Sequence, residues 1–376
     1  MKKQIVLFVS CLFWSCAYTQ SCITPLGVRS TCILLVDCPS LVKAFDYKPL
    51  QPEIVNFLRQ SHCGFSGTTP LVCCGPLPSN INNNEENFKR TSIEDVDPVS
   101  DDDSNPAPRN SCGVDTVGNK IIGGNITALD EFPWMALMGY STPSGLIQYN
   151  CGGVLINQRY VLTAAHCIIG ETDFRNLTSV RLGEYDTRKE IDCVKGVCAH
   201  PVQEIPVQVA APHPGYRAKK RNKEDDIGLV RLAKRVTYSQ FVQPICLVSG
   251  NEYQRRISIC GVVVAGWGKT LNGSYSPIKM KLNIETVDHD ECYNKFQTLG
   301  VAISNKQLCA GGVFAQDSCS GDSGGPLMSE RPEGIWESVG IVSFGWGCGR
   351  QGWPGVYTAV ANYIDWIQST MRLTNQ

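Results

Sequence analysis

Gly321-Asp322-Ser323-Gly324-Gly325-Pro326 decides the fold of this chain. A serine flanked by glycines suits a nucleophile on a tight turn, where backbone N–H groups can aim at a developing oxyanion. A hydroxyl is a weak nucleophile and needs a base, and the base needs an acid to orient it. Upstream, Thr163-Ala164-Ala165-His166-Cys167 offers a histidine after an apolar run, and Asp225-Asp226-Ile227-Gly228-Leu229 offers an acid entering another. Singly, each is weak: a lone histidine is more often structural, and an aspartate ahead of a strand is more often a cap or a surface charge. In the order His166, Asp226, Ser323, with these flanks, they make a specific pattern for nucleophilic catalysis by serine.

The rest of the chain bounds that reading. It has 376 residues, 43% of them hydrophobic, enough for one large domain and a small one. A formal net charge of −1 argues against a nucleic-acid binder, which needs a basic face. No apolar run after the N-terminus is long enough to span a membrane. Lys2 and Lys3 precede an apolar stretch from Ile5 to Trp14, followed by small residues at Ser15–Ala17. This layout predicts a secretory signal peptide over residues 1–20, cut between Ala17 and Ser21. Nineteen cysteines suit an oxidising compartment; Cys11 and Cys16 leave with the leader, so seventeen remain and one lacks an internal partner. Sequons at Asn125, Asn176 and Asn272 fit export as glycosylation sites.

Three regions differ in composition. Residues 22–74 hold six cysteines, a unit too small to fold on its apolar core alone. Residues 75–111 are acidic and poor in apolar residues, which predicts a disordered linker. The remainder shows short apolar or alternating runs broken by Gly, Pro and Asn, the mark of a β-rich domain. Near the C-terminus, Tyr363, Ile364, Trp366 and Ile367 fall at helical spacing.

Residues 121–371 closely resemble the trypsin/chymotrypsin family, through Ile121-Ile122-Gly123-Gly124, the His166 and Asp226 segments, Ala265-Gly266-Trp267-Gly268, the Ser323 turn and Ser343-Phe344-Gly345. The resemblance implies an all-β fold of two six-stranded antiparallel barrels with a C-terminal helix, over 121–376, and a site between the barrels. It makes His166 the general base, Asp226 its orienting acid and Ser323 the nucleophile, with the N–H groups of Gly321 and Ser323 as the oxyanion hole. Asp317 would form the base of the pocket for the residue before the scissile bond, with Gly345 and Gly355 leaving its walls open. A carboxylate there favours Arg or Lys. Ser343-Phe344-Gly345 would pair with substrate as an added strand. Phe344 departs from the tryptophan usual there.

Activation follows the same resemblance. Cutting after Lys120 would free the Ile121 amine to pair with Asp322, so the chain reads as a zymogen that another trypsin-like protease, or the enzyme itself, activates. The resemblance pairs Cys151–Cys167, Cys292–Cys309 and Cys319–Cys348 within the domain, and Cys112–Cys246 as a tether for the N-terminal part after cleavage. Cys193 and Cys198 lie close enough to close a small loop. Cys260 is left over, as a buried thiol or an intermolecular bridge.

The six N-terminal cysteines, ending in Cys73-Cys74, resemble a clip domain, the module that precedes arthropod cascade proteases. The family pattern joins Cys22–Cys73, Cys32–Cys63 and Cys38–Cys74; spacing alone leaves many pairings open. In some members the loop closed by Cys193 and Cys198 binds calcium, which makes Glu184 and Asp192 candidate ligands, with solvated surface acids as the alternative. Catalysis itself needs no cofactor. Residues 217–223 form a basic run, either a solvated loop or an attractor of acidic substrates. By family analogy the enzyme acts in haemolymph, in melanisation or Toll signalling. Its substrate is a proprotein, with prophenoloxidase and Spätzle as candidates, and its inhibitor is of serpin type. The rival readings are a non-catalytic clip-domain cofactor, against which the intact Ser323 stands, and a developmental or clotting protease.

Overall fold

A computed structural model describes residues 21–25, 28–46, 57–58, 60–66, 69–76, 103–115, 126–169, 176–194, 196–248, 261–269, 274–312, 322–331, 334–347 and 350–375. The leader, the activation segment around Lys120 and Ile121, Asn125, Asn272, Cys260, Asp317, Cys319, Gly321 and Cys348 lie outside the described residues. The chain divides into two compact units, Met1–Ser92 and Ile93–Gln376.

The small unit is a four-stranded antiparallel sheet, β1 (Ser21–Ile23), β2 (Arg29–Leu34), β3 (His62–Ser66) and β4 (Thr69–Cys73), in the order β1-β2-β4-β3. A single-turn helix, α1 (Pro39–Val42), supplies Leu41 to a core shared with Cys38, Phe57 and Val72. That cluster is small, and three disulfides reinforce it: Cys22–Cys73, Cys32–Cys63 and Cys38–Cys74, the pairing the resemblance implies.

The large unit opens with a closed barrel. Its strands are β5 (Met135–Ser141), β6 (Ile147–Leu155), β7 (Tyr160–Thr163), β8 (Asn176–Leu182), β11 (Gln203–Pro212) and β12 (Gly228–Leu232). The short hairpin β9 (Cys193–Val194) and β10 (Val197–Cys198) projects between β8 and β11. A five-residue helix, α2 (Ala165–Ile169), follows β7.

The second half contains β13 (Cys246–Leu247), β14 (Val262–Gly266), β15 (Met280–Ile284), β16 (Thr286–Val287), β17 (Gln307–Ala310), β18 (Pro326–Glu330), β19 (Trp336–Phe344) and β20 (Gly355–Ala359). The expected second barrel is built of six strand runs: the sheet is ordered β15-β14-β18-β19-β20-β17-β16, its end members β15 and β16 being two parts of one run, with β13 adding parallel to β19. The edge strands β15 and β16 are consecutive in the chain, separated only by Glu285. The sheet therefore curls back on itself, and Gly311 N donates to Glu285 O at 2.8 Å in register with the β16–β17 pairs.

One apolar core runs through both halves of this unit. Phe132, Trp134 and Trp336 meet there, Phe132 edge-on to Trp336 at 5.1 Å, and Trp134 Nε1 points at Met328 Sδ, 3.0 Å away. Two further helices are α3 (His289–Gln297), capped by the Asp288 side chain, and α4 (Ile364–Thr374). Helix α4 buries Ile367 and Met371, as its spacing predicts. It docks on the first barrel, where Tyr160 OH donates to Met371 O at 3.1 Å and lies 2.8 Å from Thr374 Oγ1.

Among the described residues this unit holds four disulfides: Cys112–Cys246, Cys151–Cys167, Cys193–Cys198 and Cys292–Cys309. The linker expectation over 75–111 is corrected at its end: residues from Asp103 onward lie against the large unit, because Asn157 and Arg235 bind them.

Candidate active site

Strand β7 delivers His166 to the first turn of α2, and the segment entering β12 delivers Asp226 opposite it. Asp226 is fully buried. Its Oδ2 lies 2.7 Å from His166 Nδ1, and its Oδ1 accepts from the His166 backbone N at 2.9 Å. Ser343 Oγ donates to Oδ2 at 2.5 Å, and Thr358 Oγ1 donates to the Asp226 carbonyl at 2.7 Å. A buried carboxylate is costly unless donors surround it. Here they fix both its place and the histidine tautomer: with Nδ1–H turned to Asp226, the lone pair of His166 sits on Nε2.

The Ser323 turn is seated on β6, β7 and β19. Gly152 N donates to the Ser323 carbonyl at 2.8 Å. Gly324 adopts φ +80°, and a Cβ there would stand 2.2 Å from Thr163 Oγ1 and 2.6 Å from Gly152 O. Only glycine lets the turn press against the end of β7, three residues before His166. Gly324 N bonds to Val342 O, and Val342 N to Gly325 O, which ties the turn to β19 beside Ser343. Ser343, expected at the substrate strand, thus spends its buried hydroxyl on Asp226.

Asp322 turns its carboxylate the other way. Gly268 N donates to Oδ1 at 2.9 Å, and a Cβ on Gly266 or Gly268 would come within 2.1 or 2.3 Å of the carboxylate oxygens. These glycines leave the acid its seat. Gly345 faces Gly355, whose Cα lies 3.9 Å from the place of a Gly345 Cβ, so the two expected wall glycines do meet. Phe344 packs edge-on against Phe296, which continues to Trp353 and Trp346. Of the basic run, Arg217 and Arg221 donate to nearby carbonyls. Asn176 begins β8 exposed. His166 also neighbours Cys151 and Cys167, but both sulfurs are consumed in their disulfide, so this is no metal site.

Glu184 and Asp192 are 2% and 3% exposed, which corrects the surface-acid alternative. Both accept from Tyr185 N, at 2.8 and 3.0 Å, so the two carboxylates converge. Arg181 pairs with Glu184 at 2.8 Å, while Asp192 Oδ1 is buried with no hydrogen-bond partner. Burial pushes the Glu184 carboxyl up, against the opposing charge of Arg181 and with the help of Asp192. An oxygen-rich, electron-rich pocket of this kind fits a hard cation.

Sequence reasoning missed Asp225. It holds φ +59°, unusual for a residue with a side chain. Lys306 Nζ and Tyr363 OH each lie 2.9 Å from its Oδ1, and Gly215 leaves space for Oδ2. Burial pushes the Asp225 carboxyl up, but the hydrogen bonds and charge of these partners hold it below its usual range. The clamp fixes the backbone one residue before Asp226. No local signal reveals it, because Lys306 and Tyr363 are 81 and 138 residues away.

Residues 121–367 match the trypsin family and residues 22–74 the regulatory CLIP domain of proteinases. Over 377 residues the chain is 54% identical to phenoloxidase-activating enzyme 1 of Spodoptera litura, covering 100% of both. It is 40% identical to Serine protease ea of Drosophila melanogaster, covering 93% of this chain and 90% of that one. Among solved structures it matches the Drosophila Grass clip serine protease of the Toll pathway with a TM-score of 0.61 and 30% identity, over 94% of this chain and 98% of the other.

The Asp225 clamp makes a prediction. Lys306→Met is expected to lower kcat on small peptide substrates about tenfold with KM nearly unchanged, since it loosens the segment that holds Asp226. Lys306→Arg is expected to restore most of the loss. Steady-state kinetics check this; a rise in KM at constant kcat would contradict it.

Proposed function

Because the chain belongs to the trypsin family of serine proteases, with a regulatory clip domain ahead of the protease domain, we propose that it is a secreted zymogen. Once cut after Lys120, it cleaves proproteins after Arg or Lys in an insect extracellular cascade. The observation that carries this reading is the buried Asp226, bonded to His166 and Ser343, with the Ser323 turn seated on the strand end that presents His166.

In the proposed mechanism, Ser323 Oγ attacks the scissile carbonyl as His166 Nε2 takes its proton. Asp226 holds the ring and stabilises the imidazolium. The N–H groups of Gly321 and Ser323 receive the oxyanion, and His166 returns the proton to the leaving amine. Asp317 supplies the counter-charge for a basic side chain. Asp322, seated on Gly266 and Gly268, receives the Ile121 amine after activation, and a buried charge without that partner is costly. Activation therefore calls for a trypsin-like protease upstream, and the active enzyme meets a serpin-type inhibitor in haemolymph.

The phenoloxidase-activating relative, 54% identical over the full length, supports prophenoloxidase as the substrate. Serine protease ea and the Toll-pathway enzyme support the alternative of a cytokine precursor such as Spätzle. The buried, unpartnered Asp192 Oδ1 supports a structural calcium held by Asp192 and Glu184, with carbonyls of the intervening loop. The ion would brace the loop and takes no part in the chemistry.

Ser323→Ala is expected to reduce kcat on Arg and Lys peptides by ~10⁶ while secretion and melting temperature stay unchanged, because triad members act as a unit. Near-normal turnover would sink the assignment. Asp317→Ser is expected to cost far more kcat/KM on Arg and Lys substrates than on aromatic ones, and preserved basic preference would exclude Asp317 from the pocket. Calcium should raise the melting temperature, reversibly with chelator, and Asp192→Asn should abolish the effect. An unresponsive wild-type protein would rule the ion out.

A further inference from the structure

Residues 103–115 do more than lead to the cut site. We propose that they form a non-covalent strap that holds the cleaved N-terminal chain on the protease domain independently of the Cys112–Cys246 disulfide. The surface that receives the strap has two stations, one at each end of it.

The first station is the carboxamide of Asn157, in the turn between β6 and β7 and only 6% exposed. Its Nδ2 donates to the carbonyls of Asp103, at 3.1 Å, and Asn105, at 2.8 Å. Its Oδ1 accepts from Arg159 N and Tyr160 N. One side chain thus joins the strap to the head of the strand that ends at His166. Arg235 Nε pairs with Asp103 Oδ2 at 3.1 Å, in a partly buried position where the pair is screened less than on open surface. Ala107 N then donates to Ile156 O at 2.8 Å.

The second station surrounds the disulfide without depending on it. Gly113 N donates to Pro244 O at 2.8 Å, and Trp336 N donates to Gly113 O at 2.9 Å. Val114 bridges Ile335 in antiparallel fashion. Gly113 adopts φ +68°, and a Cβ there would stand 2.3 Å from Trp336 O, so the strap enters where no side chain fits. At its end, Asp115 is buried. Burial pushes the nearly inaccessible Lys279 down to about 8, and Asp115 is the strongest of the four carboxylates that oppose this. The departing strap would take a counter-charge away from a buried lysine.

The strap's sequence suits the task. Pro106 and Pro108 fix their own backbone and restrict Asn105 and Ala107 to extended conformations. A chain already extended loses less entropy on docking.

The inference rests on the proposed cut after Lys120, so its test separates the two. The full-length Cys112→Ser/Cys246→Ser variant is cleaved and the break verified by N-terminal sequencing. In parallel, a foreign protease site substituted into residues 116–120 makes the same break whatever the natural activation site. At micromolar concentration, without denaturant, both cleaved proteins should elute from gel filtration as one species holding both chains. Adding Asn157→Ala with Arg235→Ala should weaken that association about tenfold or more. Separate elution of the chains from a folded, peptide-hydrolysing Cys-less enzyme would overturn the strap. Absence of Ile121 as a new terminus would count only against the activation reading. Where the Cys-less variants fail to fold, hydrogen exchange on the cleaved wild-type enzyme decides. Amides of Ala107 and Gly113 should stay protected after cleavage, and rapid exchange at both would refute the proposal.

Discussion

Asp226 is a carboxylate with no exposed surface, and much of the large domain can be understood as the means of keeping it there. Stripping a hydrogen-bond donor from such a group costs about 1–3 kcal/mol or more, because a buried acceptor is left unsatisfied. Its partners come from distant parts of the chain: His166 from α2 and Ser343 from β19 bond the carboxylate, and Thr358 from β20 donates to its backbone carbonyl. The first belongs to the closed barrel and the other two to the second sheet. One buried charge therefore requires both halves to be in register. The apolar core shared by the halves, with Phe132, Trp134 and Trp336 at its centre, makes that register stable.

The glycines around this charge have distinct tasks. Gly324 provides a backbone angle and a close approach that let the Ser323 turn lie on β7, while Gly266 and Gly268 provide emptiness for Asp322. The two acidic and nucleophilic neighbours in Asp322-Ser323 can face opposite ways only because each meets a surface without side chains.

What was legible in the sequence followed from how local the signals were. His166, Asp226 and Ser323 carry their flanks with them, and the strands and helix around them follow from short apolar runs and spacing. The seven disulfides among the described residues pair as the resemblance implies, where cysteine spacing by itself left the pairings open. The clamp on Asp225 was invisible because its partners are remote in sequence. Glu184 and Asp192 read equally well as surface acids, since nothing in their neighbours announces that Tyr185 N draws both inward. The docked end of the acidic linker was hidden by composition, which reports the average character of a segment and not the one asparagine that binds it.

The seating of helix α4 has a consequence for how the enzyme comes into being. Tyr160, at the head of the strand leading to His166, is hydrogen-bonded to Met371 and Thr374, and Tyr363 holds Asp225. Synthesis proceeds from the N-terminus, and domains fold as units. These supports thus leave the ribosome 211 residues after Tyr160 and 138 residues after Asp225. A nascent chain can close its disulfide-rich module while the catalytic pair still lacks its footing. The order of translation itself postpones the competent site until helix α4 has been made.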